Sequence, residues 1–208
     1  GSEMCIRDSG TVIYEPLTLH DDSRNVVKFY GIYVQDEWRP LERLTVNYGA
    51  RYDVYSGLTH EDQWSPRLGL VLELNRHTTL HAGYARYFTP PATEKISNET
   101  VALFSNTTGA PPSQGNDPVH AERSHYFDLG VSTQLLPSLT WGLDGYYRRI
   151  SELADEGQFG PALLFAPFNY ARGEIYGVES TFSWRRGTAS AYLNTAWGHA
   201  SGQTIVSG

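Results

Sequence analysis

The sequence predicts an all-β protein whose antiparallel strands cross a membrane as part of a barrel. Three observations predict it. Apolar and polar residues alternate with period two through most of the 208 residues, which is the signature of half-buried strands. The alternating runs reach about ten residues or more, whereas strands of soluble proteins cluster near five or six and a tilted membrane strand needs about nine to eleven. Short and long connections also take turns along the chain, as they do when one rim carries tight turns and the other carries loops.

Eight strands are expected, at 26–38, 44–56, 66–75, 79–88, 124–135, 139–150, 174–184 and 188–198. In the second, Leu44, Val46, Tyr48, Ala50, Tyr52 and Val54 share one face, opposite Thr45, Asn47, Gly49, Arg51 and Asp53. The third puts Leu68, Leu70, Leu72 and Leu74 against Arg67, Gly69 and Glu73. In the fifth, Phe127, Leu129, Val131, Thr133 and Leu135 oppose Asp128, Gly130, Ser132 and Gln134. The sixth sets Leu139, Trp141, Leu143, Gly145 and Tyr147 against Thr140, Asp144, Tyr146 and Arg148. No charge falls on the apolar face of these four. Arg86 in the fourth strand is the misfit, because alternation from Leu80 places it among apolar residues.

Short joins are expected at 39–43, 75–78, 136–138 and 185–187, and long ones at 57–65, 89–123 and 151–173. Rings at Trp38, Tyr52, Tyr55, Tyr84, Tyr87, Tyr147, Trp184 and Trp197 fall near strand ends, where a water–lipid boundary favours them.

Composition narrows the class. Net charge is −7, so no nucleic-acid partner is expected, because phosphate binding needs a basic surface. Charged residues are 19 %, below the roughly 25 % of soluble domains. No run approaches the ~18 apolar residues of a membrane helix, yet strand spans hide from averaged hydropathy. Residues 1–9 (GSEMCIRDS) resemble the translated ends of environmental sequence assemblies and are set aside as non-structural. They hold the only cysteine, Cys5, so neither a disulfide scaffold nor a Cys-ligated metal is available elsewhere. Residues 10–25 read as an external loop or strand edge, and 26–208 as the barrel portion.

Five stretches then resemble one family. Residues 30–53 (YGIYVQDEWRPLERLTVNYGARYD) look like a strand–turn–strand with Gln-Asp-x-Trp at the turn and Gly-x-Arg-Tyr after it. SPRLGL at 65–70, ARYFTPPATEK at 85–95, NDPVHAERSHYFDLGV at 116–131 and NYARGEIYGVE at 169–179 follow in order. Together they resemble the TonB-dependent receptors of the Gram-negative outer membrane, with Val119 and Asp128 departing from the usual Leu and Glu.

The resemblance implies a 22-stranded barrel with an N-terminal plug. Neither the plug nor an energy-coupling box is visible, and the chain stops without a terminal aromatic strand. The expectation is a fragment of about eight barrel strands forming an open curved sheet. Its parent would be located in the cell outer membrane and would take up a scarce large solute of iron-siderophore, cobalamin or glycan type. The implied partners are outer-membrane lipid and the TonB energy-transducing complex, reached through the missing plug. No enzyme activity, cofactor or metal is expected.

If the Leu/Val face meets lipid, then Arg51, Asp53, Arg67, Glu73, Asp128, Asp144, Arg148 and Glu179 face the lumen. They would pair with one another or with a plug, or else touch a passing solute. Candidate solute contacts on external loops are Phe104, Asn106, His120, Phe159 and Phe165. Leu163, Leu164 and Phe168 join the last two as loop residues that either bind ligand or pack on neighbouring loops. His77 and His81 would sit about 13 Å apart along a strand, too far to share a metal. His60, Glu61 and Asp62 read as a solvated loop cluster. Two other readings stay open at this level: a stand-alone eight-stranded outer-membrane barrel serving as anchor or small enzyme, and a soluble carbohydrate-binding β-sandwich.

Overall fold

The computed structural model describes residues 6–8, 11–13, 26–57, 59–91, 119–159 and 164–207. Two short strands, β1 (Ile6–Asp8) and β2 (Thr11–Ile13), pair only with each other. Part of the segment set aside in the sequence reading thus forms a local hairpin, separate from the main sheet.

The main sheet contains eight strands: β3 (Lys28–Leu41), β4 (Leu44–Ser56), β5 (His60–Asn75), β6 (Thr78–Thr89), β7 (Glu122–Leu136), β8 (Leu139–Phe159), β9 (Leu164–Arg186) and β10 (Ala189–Ser207). Each pairs antiparallel with its sequence neighbour, in the order β10-β9-β8-β7-β6-β5-β4-β3. β3 and β10 are the two edges and do not meet. The sheet is open, which removes the closed eight-strand barrel. It is also a single layer: among the described residues no helix or second sheet covers either face, which removes the sandwich.

The register sorts side chains into two populations, since directly paired residues share a face. One face carries Ile32, Val34, Tyr48, Leu68, Leu129, Tyr147, Val178, Phe182 and Trp197, all of them exposed. Val34 is 71 % and Leu129 65 % exposed, so this apolar surface has no cover among the described residues. A patch of that extent is not tolerated in water and marks contact with another apolar medium.

Two aromatic belts bound the face. Tyr84, Phe127, Tyr147 and Tyr176 stand in one continuous register row, while Trp141 and Phe182 stack at 6.4 Å near the tight turns. On β9, Trp184 lies eight residues from Tyr176, about 26 Å along the strand and roughly 20 Å after a ~40° tilt. That spacing suits a lipid-facing band of about 25 Å with aromatic girdles. Asp36 on edge strand β3 is an intruder here, and its carboxylate accepts a hydrogen bond from the Tyr48 hydroxyl at 3.2 Å.

The four tight turns are two residues each, at 42–43, 76–77, 137–138 and 187–188. At the other end two expected long loops are corrected. The join predicted at 57–65 shrinks to 57–59, and the one at 151–173 to 160–163, because strands continue into those segments. His60, Glu61 and Asp62 are therefore strand residues, and Phe159, Leu164, Phe165 and Phe168 lie within β8 and β9. The physical reason is depth. β8 has 21 residues, about 70 Å of extended chain, well beyond the band. Past the band both faces of a hairpin meet water or other loops, so alternation disappears although the backbone ladder persists. Only the join between β6 and β7 stays long, and most of it lies outside the described residues.

The few buried apolar side chains, Tyr55, Val119, Ala121, Ile150 and Phe168, belong to this far end. Tyr55 and Tyr87 lie on the polar face, not in the girdle as expected.

Candidate functional site

The face opposite the girdles is polar, and its side chains are held by glycines in the neighbouring strands. His81, Gly130 and Asp144 are directly paired across β6, β7 and β8. With no side chain at Gly130, the imidazole Nε2 and the Asp144 carboxylate meet above it at 2.8 Å. A Cβ at Gly130 would collide with both groups. Tyr146, Gly177 and Gly198 repeat the device across β8, β9 and β10, with the Tyr146 ring lying over the two glycines.

Every expected lumen charge shares this face. Arg51 Nε donates to Asp53 Oδ1 at 2.6 Å. Arg148 donates to Ser124 Oγ at 3.0 Å and pairs with Glu122. Arg67, Glu73, Asp128 and Glu179 have no ion-pair partner among the described residues. Asp144 and Glu179 are direct register partners, with Asp128 one strand away. Among the described residues no group of acids, histidines or cysteines is arranged to hold a metal.

A trough of about 400 Å³ opens on this face, lined by Phe29, Arg51, Ser65, Arg67, Tyr87 and others. Arg51 is paired with buried Asp53, whereas Arg67 has no ion-pair partner among the described residues. Rings continue sideways: Tyr87 meets Tyr126 edge-on at 6.1 Å, and Tyr126 stacks on Tyr146 at 6.5 Å. Aromatic faces beside an unpaired guanidinium can hold a flat, anionic solute by stacking and charge-assisted hydrogen bonds.

At the far rim, the chain entering β7 is clamped. Glu61 on β5 accepts from the Ala121 backbone N–H at 2.9 Å, from Thr59 at 2.9 Å and from Arg123 at 2.8 Å. Its burial favours the neutral acid, but these donors outweigh burial and hold the carboxyl below its usual range. The His120 ring stands 3.4 Å from the same carboxylate. Asn169 on β9, fully buried, accepts from the His120 N–H at 2.7 Å and donates to the carbonyls of His120 and Glu152. Glu152 has φ of 54°, a strained conformation for a non-glycine residue.

Of the expected solute contacts, His120 is thus a pinned member of the rim. Phe159 and Phe165 sit on the paired arms of β8 and β9, near their tip. Phe104 and Asn106 lie outside the described residues. Sequence reasoning missed Glu61 and Asn169 as anchors and Tyr126 and Tyr146 as wall rings. Extending the alternation upward through Glu61, Gln63 and Ser65 would have found the first.

Residues 7–207 match the family model described as TonB dependent receptor-like, beta-barrel. A 68-residue stretch is 37 % identical to the TonB-dependent transporter Oar of Myxococcus xanthus, covering 28 % of this chain and 6 % of that protein. The siderophore receptor PirA of Pseudomonas aeruginosa superposes with a TM-score of 0.66 at 19 % identity, over 85 % of this chain and 32 % of that one. The FrpB iron transporter of Neisseria meningitidis gives 0.63 at 17 % identity, over 86 % and 26 %. The chain therefore spans about a third or less of the proteins it resembles.

Proposed function

The chain belongs to the TonB-dependent receptor β-barrel family, and we propose that it forms part of the wall of an outer-membrane importer of a scarce, large solute. The observation that carries the reading is the separation of faces: an apolar surface uncovered among the described residues, between two aromatic belts, backs a polar surface that carries all of the lumen-face charges. A wall with lipid on one side and water on the other needs that division.

Iron chelates are the favoured solute class. The named neighbours include an iron transporter and a siderophore receptor, and the Arg67 trough with its flanking rings suits an anionic chelate. The proposed solute path runs along this face from the clamped rim, through Arg67 and the Tyr87–Tyr126–Tyr146 rings. Energy coupling to the TonB complex would pass through a plug outside these residues. Of the lumen-face charges, Arg51 with Asp53 and Asp144 with His81 act in this reading by pairing, and Glu73, Asp128 and Glu179 by polarity.

Uptake of radiolabelled ferric chelates by cells expressing the intact receptor tests the reading. Accumulation should require both the receptor and a functional TonB system, and Arg67→Ala should lower uptake several-fold while leaving membrane insertion intact. Inserted receptor that gives no TonB-dependent uptake of any ferric chelate would overturn the substrate class.

A further inference from the structure

The apolar face changes character just beyond its far aromatic belt. Two register rows cross β6 to β10 there: Arg86, His125, Arg149, Glu174 and Ser201 in one, and Phe88, Arg123, Ser151, Arg172 and Gln203 in the next. Four arginines stand in these rows, with Arg123 turned to the polar side beside Phe88, which stacks on Phe29. Two are engaged: Arg123 pairs with Glu61, and Arg86 donates to the Trp64 carbonyl at 3.5 Å. Arg149 and Arg172 are exposed and have no hydrogen-bond or ion-pair partner among the described residues. They flank a cleft of about 110 Å³ completed by Gly173, Glu174, Ser201 and Gln203.

We infer that Arg149 and Arg172 bind the phosphate of an anionic lipid headgroup in the leaflet on the loop side. The inference rests on the membrane reading above, and depth is its first support. Arg149 lies two residues past Tyr147, and Arg172 four past Tyr176. At about 3.3 Å a residue and a ~40° tilt, they rise roughly 5 and 10 Å above the belt. The headgroup layer occupies about that height, since it adds some 5–7 Å to each side of the hydrocarbon.

Geometry is the second support. Arg149 pairs with Glu174 and Arg172 with Ser151 on facing strands, so the two arginines are diagonal neighbours. Diagonal side chains lie about 7–8 Å apart, and two long guanidinium arms can converge on one phosphate from that spacing. The nearest carboxylate, Glu174, accepts a hydrogen bond from the Tyr147 hydroxyl at 3.2 Å, which turns it toward the belt. Ser201 and Gln203 add neutral donors for the remaining phosphate oxygens. Fluid hydrocarbon below and charge above match the two ends of a phospholipid or phosphorylated glycolipid, which a free anion would not satisfy.

The test uses the intact receptor in phosphatidylcholine nanodiscs, with or without diphosphoryl lipid A, and native mass spectrometry to count retained lipid A. Wild type should retain diphosphoryl lipid A and release the dephosphorylated form. Arg149→Gln with Arg172→Gln should weaken retention by roughly tenfold or more, given about a factor of five per interfacial arginine. Arg185→Gln with Arg186→Gln, at the opposite rim, should not. Millimolar inorganic phosphate should fail to displace the lipid.

Equal retention of the dephosphorylated lipid by wild type would overturn the inference without any variant, as would unchanged retention by the double Gln variant. Displacement by inorganic phosphate would do the same and would assign the site to a free anion. Failure of wild type to enter nanodiscs at all would instead strike the membrane reading.

Discussion

Placing an arginine at successive outward positions of β7 measures whether this face meets hydrocarbon. Phe127, Leu129 and Val131 share the face, and each step of two residues moves about 7 Å along the strand, or roughly 5 Å in depth at ~40° tilt. Phe127 stands in the aromatic belt, and Val131 lies about 10 Å below it, near the middle of the band. Arg substitution should therefore cost about 0–1 kcal/mol at Phe127 and about 2–4 kcal/mol at Val131, with Leu129 between. At Val131 that lowers the folded ratio by about 30-fold to nearly a thousandfold. Ser132, one residue away on the polar face, should accept Arg within about 1 kcal/mol. The assay is reversible urea unfolding of the intact protein in phospholipid vesicles, followed by tryptophan fluorescence. Were the face water-exposed, Leu129 at 65 % exposure would tolerate Arg within about 0.5 kcal/mol. A flat series along the three positions would refute the reasoning.

Gly130→Ala should force His81 and Asp144 apart, costing about 1–3 kcal/mol in the same unfolding assay. Asn169→Ala removes three hydrogen bonds from a fully buried site. Proteolysis of the segment before β7 should speed up, with about 1–3 kcal/mol lost locally. Glu152→Gly relieves a positive φ of 54° and a buried, unpartnered carboxylate oxygen. It should be neutral or stabilise by about 1 kcal/mol, the reverse of glycine's usual effect in a strand. Because Glu61 has a lowered pKa when folded, its contribution is complete above the unfolded carboxylate value and lost as pH falls through the folded one. Hydrogen exchange at 121–123 should therefore accelerate in acid relative to its intrinsic rate, and Glu61→Gln should abolish that pH dependence.

The strands within the band were legible because lipid on one side and water on the other impose a strict period of two. Leu129 and Asp128 could be assigned to opposite faces from the sequence, and the register places them so. Beyond the band the same rule has no cause. His60 to Gln63 and 151–159 carry polar residues on both sides and read as loops, yet backbone pairing continues through them. Arg86 was the misfit of the lipid face, tolerable in the sequence because it falls near the external end of its strand. It lies past the belt residue Tyr84, where a cation is tolerated. The site was harder to read. Charges could be assigned to a face, but their partners depend on which residue sits opposite. His81 reaches Asp144 only because Gly130 stands between them, and no local pattern discloses that register. Asn169 was visible as part of a familiar stretch, while its grip on His120 joins positions 49 residues apart.

Spin labels placed singly at 127–133 of β7, in the intact protein with Cys5 replaced and reconstituted in vesicles, test the division of faces most directly. Labels at 127, 129, 131 and 133 should be relaxed by oxygen dissolved in the bilayer, and those at 128, 130 and 132 by a water-soluble nickel chelate. Uniform access to the nickel chelate at every position, or the opposite phase, would contradict the account.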